Sequence, residues 1–244
     1  MTSPSSTSYK RVLIKLSGES LGGAGQFGID QEHCLKTAQA LQQMQAAGLE
    51  VGVVIGGGNL FRGIKLNDLG MQRTPADQMG MLATLMNGIA LQQALATLQC
   101  EAIVMSALEC PRVAETYNWG RAQEALSRGS IVIFVGGTGN PYFTTDTAAA
   151  LRASEIHADI LLKATKVDGI YNKDPVKHPD AIKYPTISYS QVLAEKLEVM
   201  DATSIALCRS SQIPILIFNM QALSHYPIMR ILQERIQGSL ISKD

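Results

Sequence analysis

Lys15 stands inside the apolar run Arg11–Ser17 (RVLIKLS), where an ammonium group is costly to bury unless it reaches a partner at the strand's end. Beside a phosphate it would act as a compact point charge on a transferring group. Glycine-rich turns follow three apolar runs of this chain: Gly18 after the first, Gly56–Gly58 after the second and Gly136–Gly139 after a later one. Glycine lets backbone N–H groups approach a phosphate closely. One such turn would mark only the end of a strand, but three at strand ends point to phosphate binding. Arg62, four residues after Gly58, could clamp phosphoryl oxygens with both arms of its guanidinium, although alone it would be an ordinary surface arginine. Asp146 follows Thr144-Thr145 at the start of a helical pattern and reads either as an N-cap or as an acid that orients Lys15. Asp168 and Asp174 taken alone read as turn residues.

The elements that must position these groups alternate regularly. Strands are predicted over Arg11–Ser17, Glu50–Ile55, Ala102–Ser106, Ile131–Val135, Ile160–Ala164 and Ile213–Phe218. Helices are predicted from Asp30, as cap, to Ala47 with a stop at Gly48, then over Asp77–Leu98, Trp119–Ser127, Asp146–His157, about Ser190–Leu197 and Asp201–Gln212, and a final helix closes the chain. The polar segment Thr165–Thr186 carries Asp-Gly and Asp-Pro turn signals and reads as a hairpin excursion. Alternating strands and helices give an α/β chain with a mostly parallel central sheet covered on both faces, and no linker or repeat divides it. Residues 10–244 therefore read as one domain behind a polar tail, 1–9. In the Asp77–Leu98 helix, Met79, Leu82, Met86 and Ile89 recur at helical spacing while Met81, Leu85 and Leu91 add apolar residues on other faces. A helix apolar nearly all round must be buried, and a subunit interface is a natural place to bury it.

Composition narrows the function by exclusion. Lys plus Arg equals Asp plus Glu at 21 each, with neither sign in blocks, so neither a nucleic acid nor an anionic membrane is expected as main partner. The four cysteines and four histidines show no ligand spacing, and none is assigned to a metal. No apolar run approaches the ~20 residues of a membrane span, and the leader lacks a hydrophobic signal core, so the cytoplasm is the expected compartment. The chain has no GxxxxGK[ST] motif. Gly23-Ala24-Gly25-Gln26-Phe27-Gly28 does match the dinucleotide pattern GxGxxG, but its first glycine lies six residues beyond Ser17, and Glu50 begins the second strand where a ribose-binding acid should end it.

Five blocks in order resemble the bacterial UMP kinases of the amino-acid-kinase superfamily. They are KLSGE from Lys15, VIGGGNLFRG from Val54, DQMGMLATLMNG from Asp77, GTGNPYFTTD from Gly137 and LKATKVDGIY from Leu162. The match runs from Lys10 to the last helix. The resemblance implies a three-layer α/β/α sandwich. It implies ATP phosphates at Lys15, Leu16, Ser17, Gly18, Gly58 and Arg62, with the adenosine side at Thr165, Tyr171 and Asp174. UMP would lie against Gly57, Asp77 and the loop Thr138, Gly139, Asn140, Pro141, Tyr142, Phe143, Thr144 and Thr145.

Such enzymes are typically hexameric and Mg²⁺-dependent, with the metal held through nucleotide phosphates. They are inhibited by UTP and in many bacteria activated by GTP, and Gly23–Gly28 falls in the GTP-linked region. In the implied chemistry Lys15 and Arg62 supply positive charge, and Asp146 and Asp201 orient or assist. A nucleotide-storage assembly built on the same superfamily would keep the glycine loops but have little reason to keep Lys15, Arg62 and the UMP loop together.

Overall fold

The computed structural model describes residues 9–22, 27–61, 70–236 and 238–243. Arg62 and Gly23, Ala24, Gly25 and Gln26 lie outside them. The strands are β1 (Arg11–Leu16), β2 (Glu50–Ile55), β3 (Ala102–Ser106), β4 (Glu115–Thr116), β5 (Ile131–Val135), β6 (Ile160–Thr165), β7 (Ile170–Tyr171), β8 (Lys183–Tyr184), β9 (Thr186–Ser188), β10 (Ile215–Asn219) and β11 (Gly238–Ser242). The helices are α1 (Glu19–Gly22), α2 (Gln31–Ala46), α3 (Gly58–Phe61), α4 (Arg73–Thr97), α5 (Trp119–Ser127), α6 (Thr145–Glu155), α7 (Tyr189–Ala194), α8 (Ala202–Ser211), α9 (Ala222–His225) and α10 (Ile228–Glu234).

Nine strands form one sheet in the order β4-β3-β5-β2-β1-β6-β10-β11-β9, parallel except where β11 runs against β10. β7 and β8 make the separate hairpin expected in the polar excursion. Successive strand residues point to opposite faces. Val12, Ile14 and Leu16 therefore pack with α2, α4 and α10 on one face, and Leu13 packs with α5, α6 and α8 on the other. This is the three-layer α/β/α arrangement with a mostly parallel central sheet.

The boundaries differ from expectation in instructive places. The chain does not end on its last helix: Arg235 adopts a left-handed conformation (φ 54°), and Gly238–Ser242 turns back as β11 between β10 and β9. Gly238 lies so close to β10 that a Cβ would sit 3.0 Å from Leu216 Cδ1. α4 starts four residues before Asp77, because Pro75 is tolerated in a first turn whose N–H groups have no intrahelical acceptor. Asp146 is not the cap of α6. Thr144 is, its hydroxyl accepting from the N–H groups of Asp146 and Thr147, and that leaves the Asp146 carboxylate free for other partners.

Candidate active site

The central strands β1 and β6 lie side by side in parallel, with Lys15 and Lys163 opposite each other in register. Both side chains leave the sheet on the α6 side and converge on Asp146 in the first turn of that helix. Lys15 Nζ lies 2.8 Å from Asp146 Oδ1 and Lys163 Nζ lies 2.7 Å from Oδ2. The Lys163 contact is an aligned hydrogen bond. The Lys15 contact is a close ion pair, so each oxygen of the Asp146 carboxylate faces one ammonium group. All three side chains are about 14% exposed. Burial by itself would raise the Asp146 carboxyl, but the fields of Lys15 and Lys163 outweigh it and hold the carboxyl below its ordinary value. Burial dominates at Lys163 and lowers its ammonium despite Asp146. The result is one carboxylate between two ammonium groups, a net positive cluster at the carboxyl ends of the strands. The sheet order also switches direction about β1 here, where parallel sheets place their ligands.

Two clefts open beside this cluster. The first, of about 260 Å³, has Gly57, Gly58, Asp77, Thr138, Asn140, Phe143, Thr144 and Thr145 among its walls. These eight were all expected at the site, but Gly58, expected on the ATP phosphates, stands here with the residues expected around UMP. Gly139 (φ 84°) and Tyr142 (φ 71°) are turn residues of the same loop and do not line the cleft, nor does Pro141. Asp77 does more than face the cavity: its Oδ2 accepts the Tyr142 N–H at 2.7 Å and it pairs with Arg73 at 2.9 Å, tying the 137–145 loop to α4. Gly57 has to be glycine, since a Cβ there would stand 2.8 Å from Ala83 Cβ and 2.9 Å from Gly80 O on α4.

The second cleft, of about 340 Å³, is lined by Lys15, Ser17, Glu19, Lys163, Thr165 and Lys166, with Ser20, Ala164 and Met220. Lys15, Ser17 and Thr165 were expected there. Leu16 is a core residue whose side chain packs under the sheet, and Gly18 forms the sharp exit of β1, where a Cβ would meet Asn59 Oδ1 at 2.4 Å. Tyr171 and Asp174 stand on the hairpin away from this cleft. Tyr171 donates to Asp168 Oδ1 at 2.7 Å, and Asp174 accepts the Val176 N–H at 3.0 Å. Asp201 caps α8 through the Ser204 N–H and accepts the hydroxyls of Thr144 and Thr147. It braces the start of α6 from behind and does not line either cleft. Phe27 is exposed, and Gly28 (φ 106°) donates its N–H to Asn59 O and accepts from the Asn59 side-chain Nδ2.

Lys163, Glu19 and Lys166 were not singled out from the sequence. Lys163 offered the same signal as Lys15, a lysine in an apolar strand (ILLKAT). Glu19 pairs with Lys166 at 2.6 Å on the rim of the second cleft, a contact across the fold that no local pattern announces. Among the described residues no cluster of His, Cys, Asp or Glu is grouped to hold a metal ion.

Comparison with known proteins agrees with this geometry. The model of the amino acid kinase family matches residues 10–219. The chain is 63% identical over 236 residues to the uridylate kinase of Protochlamydia amoebophila, covering 97% of this chain and 94% of that one. It is 48% identical to the uridylate kinase of Vibrio campbellii over 244 residues, the whole of both chains. Among solved structures it resembles UMP kinase from Ureaplasma parvum (TM-score 0.89, 37% identity, 97% of this chain and 100% of that one). It likewise resembles UMP kinase from Bacillus anthracis (TM-score 0.90, 35% identity, 97% of each). With its sheet order, its glycine loops and these relatives in agreement, the chain belongs to the amino acid kinase family.

Proposed function

We propose that this protein transfers a phosphoryl group from ATP to UMP, giving ADP and UDP, as a step of pyrimidine nucleotide biosynthesis. The observation that carries the reading is the Lys15–Asp146–Lys163 cluster, whose lysines line the cleft of Ser17, Thr165 and Lys166 and whose Asp146 follows Thr145 in the wall of the cleft that holds Asp77. UMP occupies the cleft of Asp77 and ATP the cleft of the lysines. An oxygen of the UMP phosphate attacks the γ-phosphorus of ATP in line, and the bond to the bridging oxygen of the departing ADP breaks. The acceptor is already anionic, so no general base is needed, and catalysis reduces to positioning two polyanions and neutralising charge on the transferred group. Lys15 and Lys163 supply that charge, with Arg62 as a further cation from outside the described residues, and Asp146 orients both lysines.

Mg²⁺ would be carried on the phosphates of ATP and would neutralise their charge. The chain's own donors fit that arrangement, because the oxygens of Asp146 and Asp201 are engaged by lysines, hydroxyls and a backbone N–H. The working form is a cytoplasmic homohexamer inhibited by UTP, with GTP as activator through the segment Gly23–Gly28. Neither a nucleic acid nor a membrane enters the reading.

Acceptor choice tests it. ADP release on adding UMP should exceed that with CMP or AMP by about 100-fold or more in kcat/KM, the discrimination of a site that hydrogen-bonds its substrate. Equal turnover of CMP would contradict it.

The lysine pair gives a pH signature. Burial lowers Lys163 from an ordinary value of 10.5, so it loses its proton at a lower pH than an exposed lysine. The rate should therefore fall on the alkaline side before ordinary lysines titrate, and Lys163→Arg, which keeps its charge, should move that limb to higher pH. A pH–rate profile identical in the two proteins would remove Lys163 from the charge cluster.

A further inference from the structure

We infer that Thr84 and Asn87 on α4 are positioning residues that hold the two glycine loops of the active site in register. The inference rests on the proposed function for its kinetic consequences but not for its geometry. Both side chains are buried, Thr84 at 2% and Asn87 at 0% exposure, one helical turn apart on the same face. A carboxamide in a helix interior is unfavourable there unless its hydrogen bonds are met. Those of Asn87 are met by the loops. Its Nδ2 donates to Gly56 O and to Asn59 Oδ1, both at 2.7 Å, and Asn59 Nδ2 donates back to Asn87 Oδ1 at 3.0 Å and on to Gly28 O at 2.8 Å. This reciprocal amide pair ties α4 to the turn after β2. Thr84 does the same for the turn after β5: its hydroxyl oxygen accepts the Gly136 N–H at 2.8 Å and its O–H donates to Met81 O at 2.7 Å.

Peptide planarity turns these contacts into an aim. The C=O and N–H of one trans peptide point in opposite directions. With Gly56 C=O drawn toward Asn87, the Gly57 N–H points away from α4, and it donates to no other described residue. The loop cannot slide to compensate, because Gly57 packs against Ala83 and Gly80 with no room for a Cβ. Asn87 therefore fixes the direction of a backbone donor in the wall of the first cleft, and Thr84, itself in that wall, fixes the start of the turn that supplies Gly137 and Thr138 to it.

The test uses the full-length protein. In Thr84→Val, which keeps the shape and removes the hydroxyl, the KM for UMP should rise about tenfold or more with the KM for ATP within about twofold. Thr84→Ser should restore the native value. Asn87→Ala should lower kcat by roughly tenfold to a hundredfold, the effect of a displacement near 1 Å. Amide hydrogen exchange without substrates supplies an activity-independent readout. Exchange over 52–61 should accelerate in Asn87→Ala, exchange over 131–145 should accelerate in Thr84→Val, and Thr84→Ser should match native protein. If the native protein failed on UMP while this exchange pattern appeared, the functional reading would fall and the positioning role would stand. Loss of thermal stability with native exchange in both loops, or with native kinetic constants, would reduce Thr84 and Asn87 to packing residues and overturn the inference. Should Asn87→Ala prove insoluble, the Thr84 pair decides alone.

Discussion

Replacing Lys15 with alanine is expected to lower kcat by about two orders of magnitude or more, the effect of losing one preorganised electrostatic group. The structure sharpens the expectation in two ways. Lys15 lies 2.8 Å from Asp146 and lines the second cleft, so its ammonium is held in the wall of the cleft proposed for ATP. Its loss also leaves Asp146 paired with Lys163 alone, converting a net positive cluster into a neutral pair. KM values for ATP and UMP should change much less than kcat, because the lysine's advantage is greatest when charge is redistributed in the transition state. Lys15 and Lys163 share one carboxylate, so their effects should not add: the double replacement should cost less than the product of the single ones. Steady-state kinetics on the three variants check this. An unchanged kcat in Lys15→Ala, with the loss confined to KM, would place Lys15 in nucleotide binding and outside the chemistry.

The second large effect is expected at α4. Leu82, Met86 and Ile89 recur along one side of this helix and are 52%, 54% and 40% exposed in the single chain, whereas Met81, Leu85 and Leu91 of the same helix are buried in it. An exposed apolar stripe on a 25-residue helix fits the subunit interface of the proposed assembly. Met86→Asp places a carboxylate in that stripe, where assembly would bury it unpaired. The variant is expected to dissociate to a 26.3 kDa monomer or to lose solubility, while the native protein is expected to run as the proposed homohexamer. Light scattering at micromolar concentration measures both. A native protein that is already a monomer, or a Met86→Asp assembly of unchanged mass, would remove α4 from the interface.

Most of the architecture was legible because its signals are local. Apolar runs of five to seven residues between helical patterns gave the six parallel strands at the centre of the sheet to within two residues at each end. The ends were harder. GSLIS is short, follows a helix and becomes a strand only because β10 lies beside it, which is a tertiary fact. Lys15 was legible because an ammonium in an apolar strand is anomalous in itself. Lys163 carries the same anomaly, but that it shares Asp146 depends on β1 and β6 being neighbours in register, and no periodicity states which strands pair. Asp77 was expected to face substrate. Its bond to the Tyr142 N–H, across 65 residues of sequence, adds a duty to the loop that only the fold discloses. Asp201 was expected to orient or assist, and the fold gives it a bracing place as cap of α8 against Thr144 and Thr147.

The proposed phosphoryl transfer from ATP to UMP across the Lys15–Asp146–Lys163 cluster can be followed on the phosphorus nuclei themselves. Phosphorus-31 NMR of the native protein with equal ATP, UMP and Mg²⁺ tests it most directly. The ATP and UMP resonances should decline together as those of ADP and UDP grow, with no matching rise in inorganic phosphate, and Lys15→Ala should slow this by about two orders of magnitude. Conversion of ATP to ADP and inorganic phosphate with UMP left intact would contradict it.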